Sequence, residues 1–298
     1  MANRSKGFYF YSWELREKTP SSGWSGSHHQ IGSDRLYPER NLNGDHVKKI
    51  KKKKGGRSGA LPAFVVGFTH ADPPPPGFLA AWFNQAYGGP LQIQFTTQAS
   101  HSEFVAGHTK WRAQVSTSLS TETSEWWRDR LQWSHSQIAT VHPLQNVGQD
   151  KPDVTLHVAR LARGLTLLTE GTAYDVGTAS YYNPSDWRDR GLEQFHVEDH
   201  VQVEQRDQPQ RGQVWFYTRG LAKFGLEELE TYRPTGLPDR SVIDTLLDIG
   251  EVLIAGGKVA KVGDHLTLPR TGQLIKVVRH RTDSSSDAHL HLREVTWG

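Results

Sequence analysis

Seven residues, Arg219-Gly220-Leu221-Ala222-Lys223-Phe224-Gly225, hold two glycines and two cations between strand-forming runs. Such a segment can cradle an anion: glycine lets the backbone approach a ligand, and Arg219 and Lys223 supply charge. The order is not Gly-x-x-x-x-Gly-Lys-Ser/Thr, and no helix start follows to receive a phosphate. The preferred reading is a bend between two strands, with Phe224 plugged into the core and Lys223 pointing to water. The alternative is an anion loop made by Arg219, Gly220, Lys223 and Gly225.

A second group is His196, Glu198 and His200 in "HVEDHVQVEQ". On a strand these three share one face, and His-Glu-His is a donor set that zinc accepts. The glutamate sits one place late for His-Glu-x-x-His. A polar, solvated sheet face is the preferred account, with the metal-dependent enzyme as an alternative. His289 and His291 pair across a strand face in the same way.

Paired acids occur at Asp186/Asp189, Glu198/Asp199 and Glu227/Glu228. General acid–base work needs one carboxyl desolvated and its neighbour not. All three pairs lie in polar stretches, so solvated faces are expected. There is no Gly-x-Ser-x-Gly elbow. The chain has no cysteine, which excludes disulfides and thiol catalysis. No cofactor motif is found, and the reading leans away from an enzyme.

Two further groups suit binding. Lys48, Lys49, Lys51, Lys52, Lys53, Lys54 and Arg57 are seven of the 35 basic residues; the remaining 28 face 32 acids, so the rest of the chain is mildly acidic. This run is read first as a solvated tail, and second as an arm giving salt-sensitive nucleic-acid binding. Trp126, Trp127 and Trp133 lie in a short predicted helix. Residues 126 and 133 align there, and 127 diverges by about 100°. One tryptophan of the adjacent pair is expected in the core and the other stands as a partner anchor, although a tryptophan lying flat across a helix–sheet seam is the preferred account.

The elements that must position these groups read as α+β. Strands are predicted at 60–69, 91–98, 104–119 (bent at Gly107), 137–144, 172–182, 197–205, 213–219, 273–281 and 289–295. Helices are predicted at 78–87, at 152–171 with Val154, Val158, Leu161, Leu165 and Leu168 at helical spacing, and over 240–255 with Val242, Leu246, Ile249 and Leu253 on one face. Asp153 and Asp239 are expected to cap the last two, and Gly171 to provide the left-handed exit of the second. Without βαβ alternation, mixed or antiparallel sheets with helices on one face follow, as two split β-α-β (ferredoxin-like) halves. The predicted division is a polar, basic lead-in over 1–59, a first half over 60–148 and a second over 149–298.

"TRGLAKFGLEELE" (218–230) followed by "SVIDTLLDIGEVLIAGGKVAKVGDHL" (241–266) resembles a bacterial family, domain of unknown function 4261. The likeness covers roughly 215–270 and is weaker over 60–200, where 153–170 and "AYDVGTASYYNPSDW" carry it. The turn Gly263-Asp264-His265 departs from the family's Gly-Asp-Thr pattern. The resemblance implies an α+β domain in a bacterial protein and brings no catalytic residues. No signal-peptide core and no membrane-spanning apolar run are seen. The expectation is a cytoplasmic, non-enzymatic binding or accessory protein whose partner is another protein, contacted through a sheet face or the Trp126/Trp127 region.

Overall fold

The computed structural model describes residues 63–69, 72–95, 103–108, 110–120, 135–144, 151–283 and 290–298. These belong to one compact unit, Arg57–Gly298. Among the described residues four helices and two mostly antiparallel sheets make an α+β fold.

The first sheet is built from β1 (Phe64–Phe68), β2 (Gln92–Phe95), β3 (Glu103–His108), β4 (Trp111–Leu119), β5 (Gln137–Pro143), β6 (Thr172–Asp175) and β7 (Ser180–Tyr182), in the order β2-β3-β4-β5-β1-β6-β7. Helix α1 (Pro76–Tyr87) connects β1 to the β2–β4 meander, and α2 (Lys151–Thr169) connects β5 to β6. In this order β5 lies between β4 and β1, and β1 lies between β5 and β6, with all three pairings antiparallel. That is a pair of interlocked split β-α-β units. Both units lie in this one sheet, whereas one per half was expected, and the predicted boundary at residue 148 falls inside it.

Central strand β1 is buried along its whole length. Phe64, Val66 and Phe68 join the core under the helices, while Val65 meets Ile138 and Tyr174 on the opposite face. In α2 the predicted stripe faces the core: Val154, Val158, Leu161 and Leu165 are buried in it, and Leu168 packs against it half-buried. Its exit differs from expectation. Glu170 takes the left-handed conformation at φ 50°, while Gly171 is needed for space, because a Cβ there would come within 2.4 Å of the Gly67 carbonyl. Asp153 lies within the first turn of α2, which begins at Lys151. The predicted strand over 104–119 is a hairpin, β3 and β4.

The short helix α3 (Pro184–Arg188) is closed by a capping box between Asn183 and Asp186. The second sheet then comprises β8 (Gln202–Gln208), β9 (Gln213–Arg219), β10 (Glu228–Pro234), β11 (His265–Thr267), β12 (Leu274–Asp283) and β13 (Leu290–Thr296), ordered β11-β12-β13-β10-β9-β8. Only β10 and β13 run parallel, because helix α4 (Asp239–Gly256) lies in the crossover between them. Val242, Leu246, Ile249 and Leu253 of α4 bury against Val214, Phe216, Leu229 and Ile275 on one face of this sheet. Asp239 is the first helical residue and not the cap. Pro238 holds the cap position and supplies no side-chain acceptor. The predicted strand over 197–205 begins only at Gln202, preceded by a 3-10 turn at Val197–Asp199.

Candidate functional site

The 219–225 segment is the junction of the two sheets. Thr218 ends the buried run of β9, and Gly220 turns the chain at φ 119°, where a Cβ would stand 2.3 Å from the His200 carbonyl. Leu221–Phe224 form one 3-10 turn, and Gly225 exits left-handed at φ 69°. Phe224 is buried, as read from the sequence, and meets Phe195 edge-on. The amides do converge on an anion, and that anion is the protein's own. Glu228 accepts from the backbone N–H groups of Gly220 (2.9 Å), Leu221 (3.3 Å) and Ala222 (3.1 Å) and from the Thr218 hydroxyl (2.8 Å). The Thr218 oxygen in turn accepts from the Leu229 N–H at 2.8 Å. Burial pushes the Glu228 carboxyl above the usual range, and the four donors oppose it. The expectation of a solvated face fails for this glutamate, which is 3% exposed.

Lys223 does not point to water. Its Nζ lies 2.5 Å from Asp175 of β6 and 3.0 Å from the His200 carbonyl. Lys151 Nζ donates to the Phe224 carbonyl at 2.8 Å. Arg219 turns the other way, to Glu204 at 3.3 Å. The four anion-loop residues are thus engaged within the fold.

His196, Glu198 and His200 share no strand face, because the 3-10 turn intervenes. His196 and Glu198 are exposed beside a cavity of about 380 Å³, which Glu251 and Arg270 also line. His200 points inward, stacked 5.0 Å from Phe195, with neither ring nitrogen hydrogen-bonded. Burial, helped by the nearby Lys223 charge, lowers its pKa to about 3. No group of three or more His, Asp or Glu side chains placed to hold a metal occurs among the described residues. Of the other acids, Asp186 serves the α3 cap, Asp199 lies 3.9 Å from Arg190, and Glu227 pairs with Arg293. Trp126, Trp127, Trp133, His289 and the segment from Lys48 to Arg57 lie outside the described residues.

A further polar constellation was not singled out from the sequence. It occupies the face of the second sheet opposite α4. Cross-strand register sets Arg206, Trp215 and Tyr232 in one row and Glu204, Tyr217 and Glu230 in the next. Trp215 and Tyr217 stack with centroids 4.2 Å apart. Glu230, 0% exposed, accepts from the Trp215 indole (2.9 Å) and from the Arg281 guanidinium, whose Nη2 lies 2.6 Å away. Arg281 covers the Trp215 ring at 4.9 Å. Tyr217 donates to Glu204, and burial together with that carboxylate raises its pKa. Beyond this floor lies a cavity of about 640 Å³ lined by Asp207, Gln208, Arg211, Tyr232, Arg279 and Asp283 among others. The alternation of β8 and β10 carried the signal, since a period of two sets their acids and arginines beside the aromatics of β9.

The comparisons with known proteins return nothing. No family model matches the chain, and no curated protein or solved structure matches it at a significant level. No described helix is long and apolar enough to cross a membrane.

Proposed function

We propose that the chain is a non-enzymatic binding protein that recognises a macromolecular partner through the open face of its second sheet. The observation that carries this reading is the cavity over Trp215 and Tyr232, walled by Arg211, Arg279 and Arg281, on a face that α4 leaves uncovered. Concave sites that join aromatic walls to a few placed polar groups are where ligands bind. The other candidate groups serve the fold: Glu228 occupies the bend amides, Lys223 ties β9 to β6, and His200 is enclosed. Membership of the domain of unknown function 4261 family, and with it a bacterial, cytoplasmic setting, belongs to the same proposal and rests on residues 215–270.

Affinity capture from cell extract tests it, with the wild type beside an Asp207→Arg, Arg211→Glu variant. Both positions are exposed, so the fold tolerates the change. The expected result is loss of the captured partner at an unchanged thermal midpoint. Equal capture by both proteins would remove this face from consideration.

A further inference from the structure

His200 is 1% exposed, and neither of its ring nitrogens has a hydrogen-bond partner among the described residues. Its ring lies nearly parallel to Phe195. The cations that face it all oppose a further positive charge: Lys223 of the bend, Arg190 after α3, and His196 at the start of its own turn. The carboxylates on the elements around it are already engaged. Asp175 of β6 holds Lys223, Asp199 lies 3.9 Å from Arg190, and Glu228 of β10 is filled by its own donors. Glu193, Glu198 and, on α4, Glu251 are exposed. A proton on His200 therefore meets no acceptor while the ring stays in place.

The segment that carries the ring is tethered at two ends and free of strand pairing between them. Arg160 donates to the Leu192 and Glu193 carbonyls at 2.8 and 2.7 Å, and the β8 ladder begins at Gln202. Residues 194–201 belong to neither sheet. The turn closes its own backbone bonds, from the Asp199 N–H to His196 and from the His200 and Val201 N–H groups to Val197. It is seated by the burial of Val197 and Val201, by the contact of Phe195 with Phe224, and by Lys223 donating to the His200 carbonyl at 3.0 Å. Lifting the turn breaks no strand ladder and leaves Lys223 on Asp175. It also dismantles one wall of the cavity beside α4, which Phe195 and Val197 line.

We propose that residues 194–201 form an acid-released flap: protonation of His200 swings the turn away from the junction while both sheets stay folded, and exposes the apolar surface of Phe195 and Val197. The lifted state is the one in which water can meet the imidazolium. The imidazole takes its proton at about 6.5 when open and at about 3 when enclosed. The closed state is therefore fully favoured above pH 6.5 and loses ground as pH falls toward 3. Between pH 7 and pH 5 the opening constant rises about 25-fold.

Amide hydrogen exchange of the full chain at pH 7 and pH 5, corrected for intrinsic rates, tests this. The amides of residues 199–201 are expected to be less protected than those of β1 at both pH values, which marks an opening short of global unfolding. Their protection should fall about 25-fold on acidification. In His200→Phe, which keeps an aromatic ring and removes the proton site, that fall should be lost. Protection of 199–201 equal to that of β1 overturns the proposal, since only global unfolding would then expose the turn. Protection unchanged between the two pH values, or a fall that persists in His200→Phe, also overturns it. The first two of these outcomes are read on the wild type alone, so the test stands even where the variant fails to fold.

Discussion

Lys223 of the bend after β9 reaches across to Asp175 at the end of β6, with Nζ and Oδ2 2.5 Å apart and the carboxylate side chain 1% exposed. The two residues are 48 positions apart, and they join the two sheets at a point where water is nearly excluded. Asp175 also accepts from the backbone N–H of Gly177 at 2.9 Å and of Thr178 at 3.3 Å, which fixes its orientation. A bent strand connection is thereby also the latch of the fold.

Removing one partner of that pair leaves the other buried and uncompensated. Lys223→Met is expected to lower unfolding free energy by about 3–5 kcal/mol in urea titration. Adding Asp175→Asn should recover part of the loss. A single variant as stable as the wild type would show that the pair is not a latch.

Glu228→Gln replaces one acceptor oxygen by an NH₂ group facing the Gly220 and Ala222 amides, which are themselves donors. The expected cost is about 1–3 kcal/mol, because at least one buried N–H loses its acceptor. Amide hydrogen exchange at residues 220–222 should accelerate relative to α4. Unchanged protection there would show that the carboxylate is not the acceptor in solution.

Gly220→Ala meets two penalties together, a φ of 119° and a Cβ set against the His200 carbonyl. A loss above about 1 kcal/mol is expected. The control is Gly212→Ala, at φ 61° with nothing within 4 Å of the added carbon. It carries backbone strain alone and should cost less in the same melt.

Acid sensitivity is expected from two histidines, His200 buried and His157 half-buried. Burial first, then neighbouring cations, lower the pKa of His200 to about 3 and that of His157 to about 3. Both folded values lie below the unfolded value of about 6.5. The unfolded chain therefore binds more protons than the native one between these limits, and stability falls as pH drops below about 6.5. Each histidine contributes a slope approaching about 1.4 kcal/mol per pH unit inside the window. Urea midpoints at pH 7 and pH 5 check this, and His200→Phe should flatten the dependence. Equal midpoints for the wild type would rule the effect out.

Arg281→Ala leaves Glu230 carrying a fully buried charge with only the Trp215 indole and the Tyr232 hydroxyl to meet it. A loss of about 3–5 kcal/mol is expected. The fluorescence of Trp215 should shift as water enters its environment. A variant of wild-type stability would show that the floor of the cavity does not depend on this ion pair.

Much of the scaffold was legible in the order of residues. The stripes of α2 and α4 follow from periodicity, because residues three and four apart on a helix must share a face; the inward Phe224 follows from an apolar ring in a glycine-bounded bend, and the α+β class from the element order. Helix ends were less legible. Pro238 already presets the chain entry that Asp239 was expected to cap, and the left-handed exit of α2 falls on Glu170, while Gly171 is held to glycine by the nearby Gly67 carbonyl. Lys223 and Glu228 were misread for one reason: each looks solvated beside its sequence neighbours, and each finds its compensating group only when the bend closes.

The chain order by itself determined the three long helices with their apolar sides, most of the strands, and that the sequence carries no thiol. Only the tertiary structure decided that both split β-α-β units share one sheet, that Glu228 fills the bend it follows, and that Trp215, Glu230 and Arg281 meet beneath a cavity. Local pattern is written by neighbours a few residues apart. The partners of a buried charge are set by strands brought together over 51 positions, as Arg281 and Glu230 are, and that pairing is a property of the folded sheet.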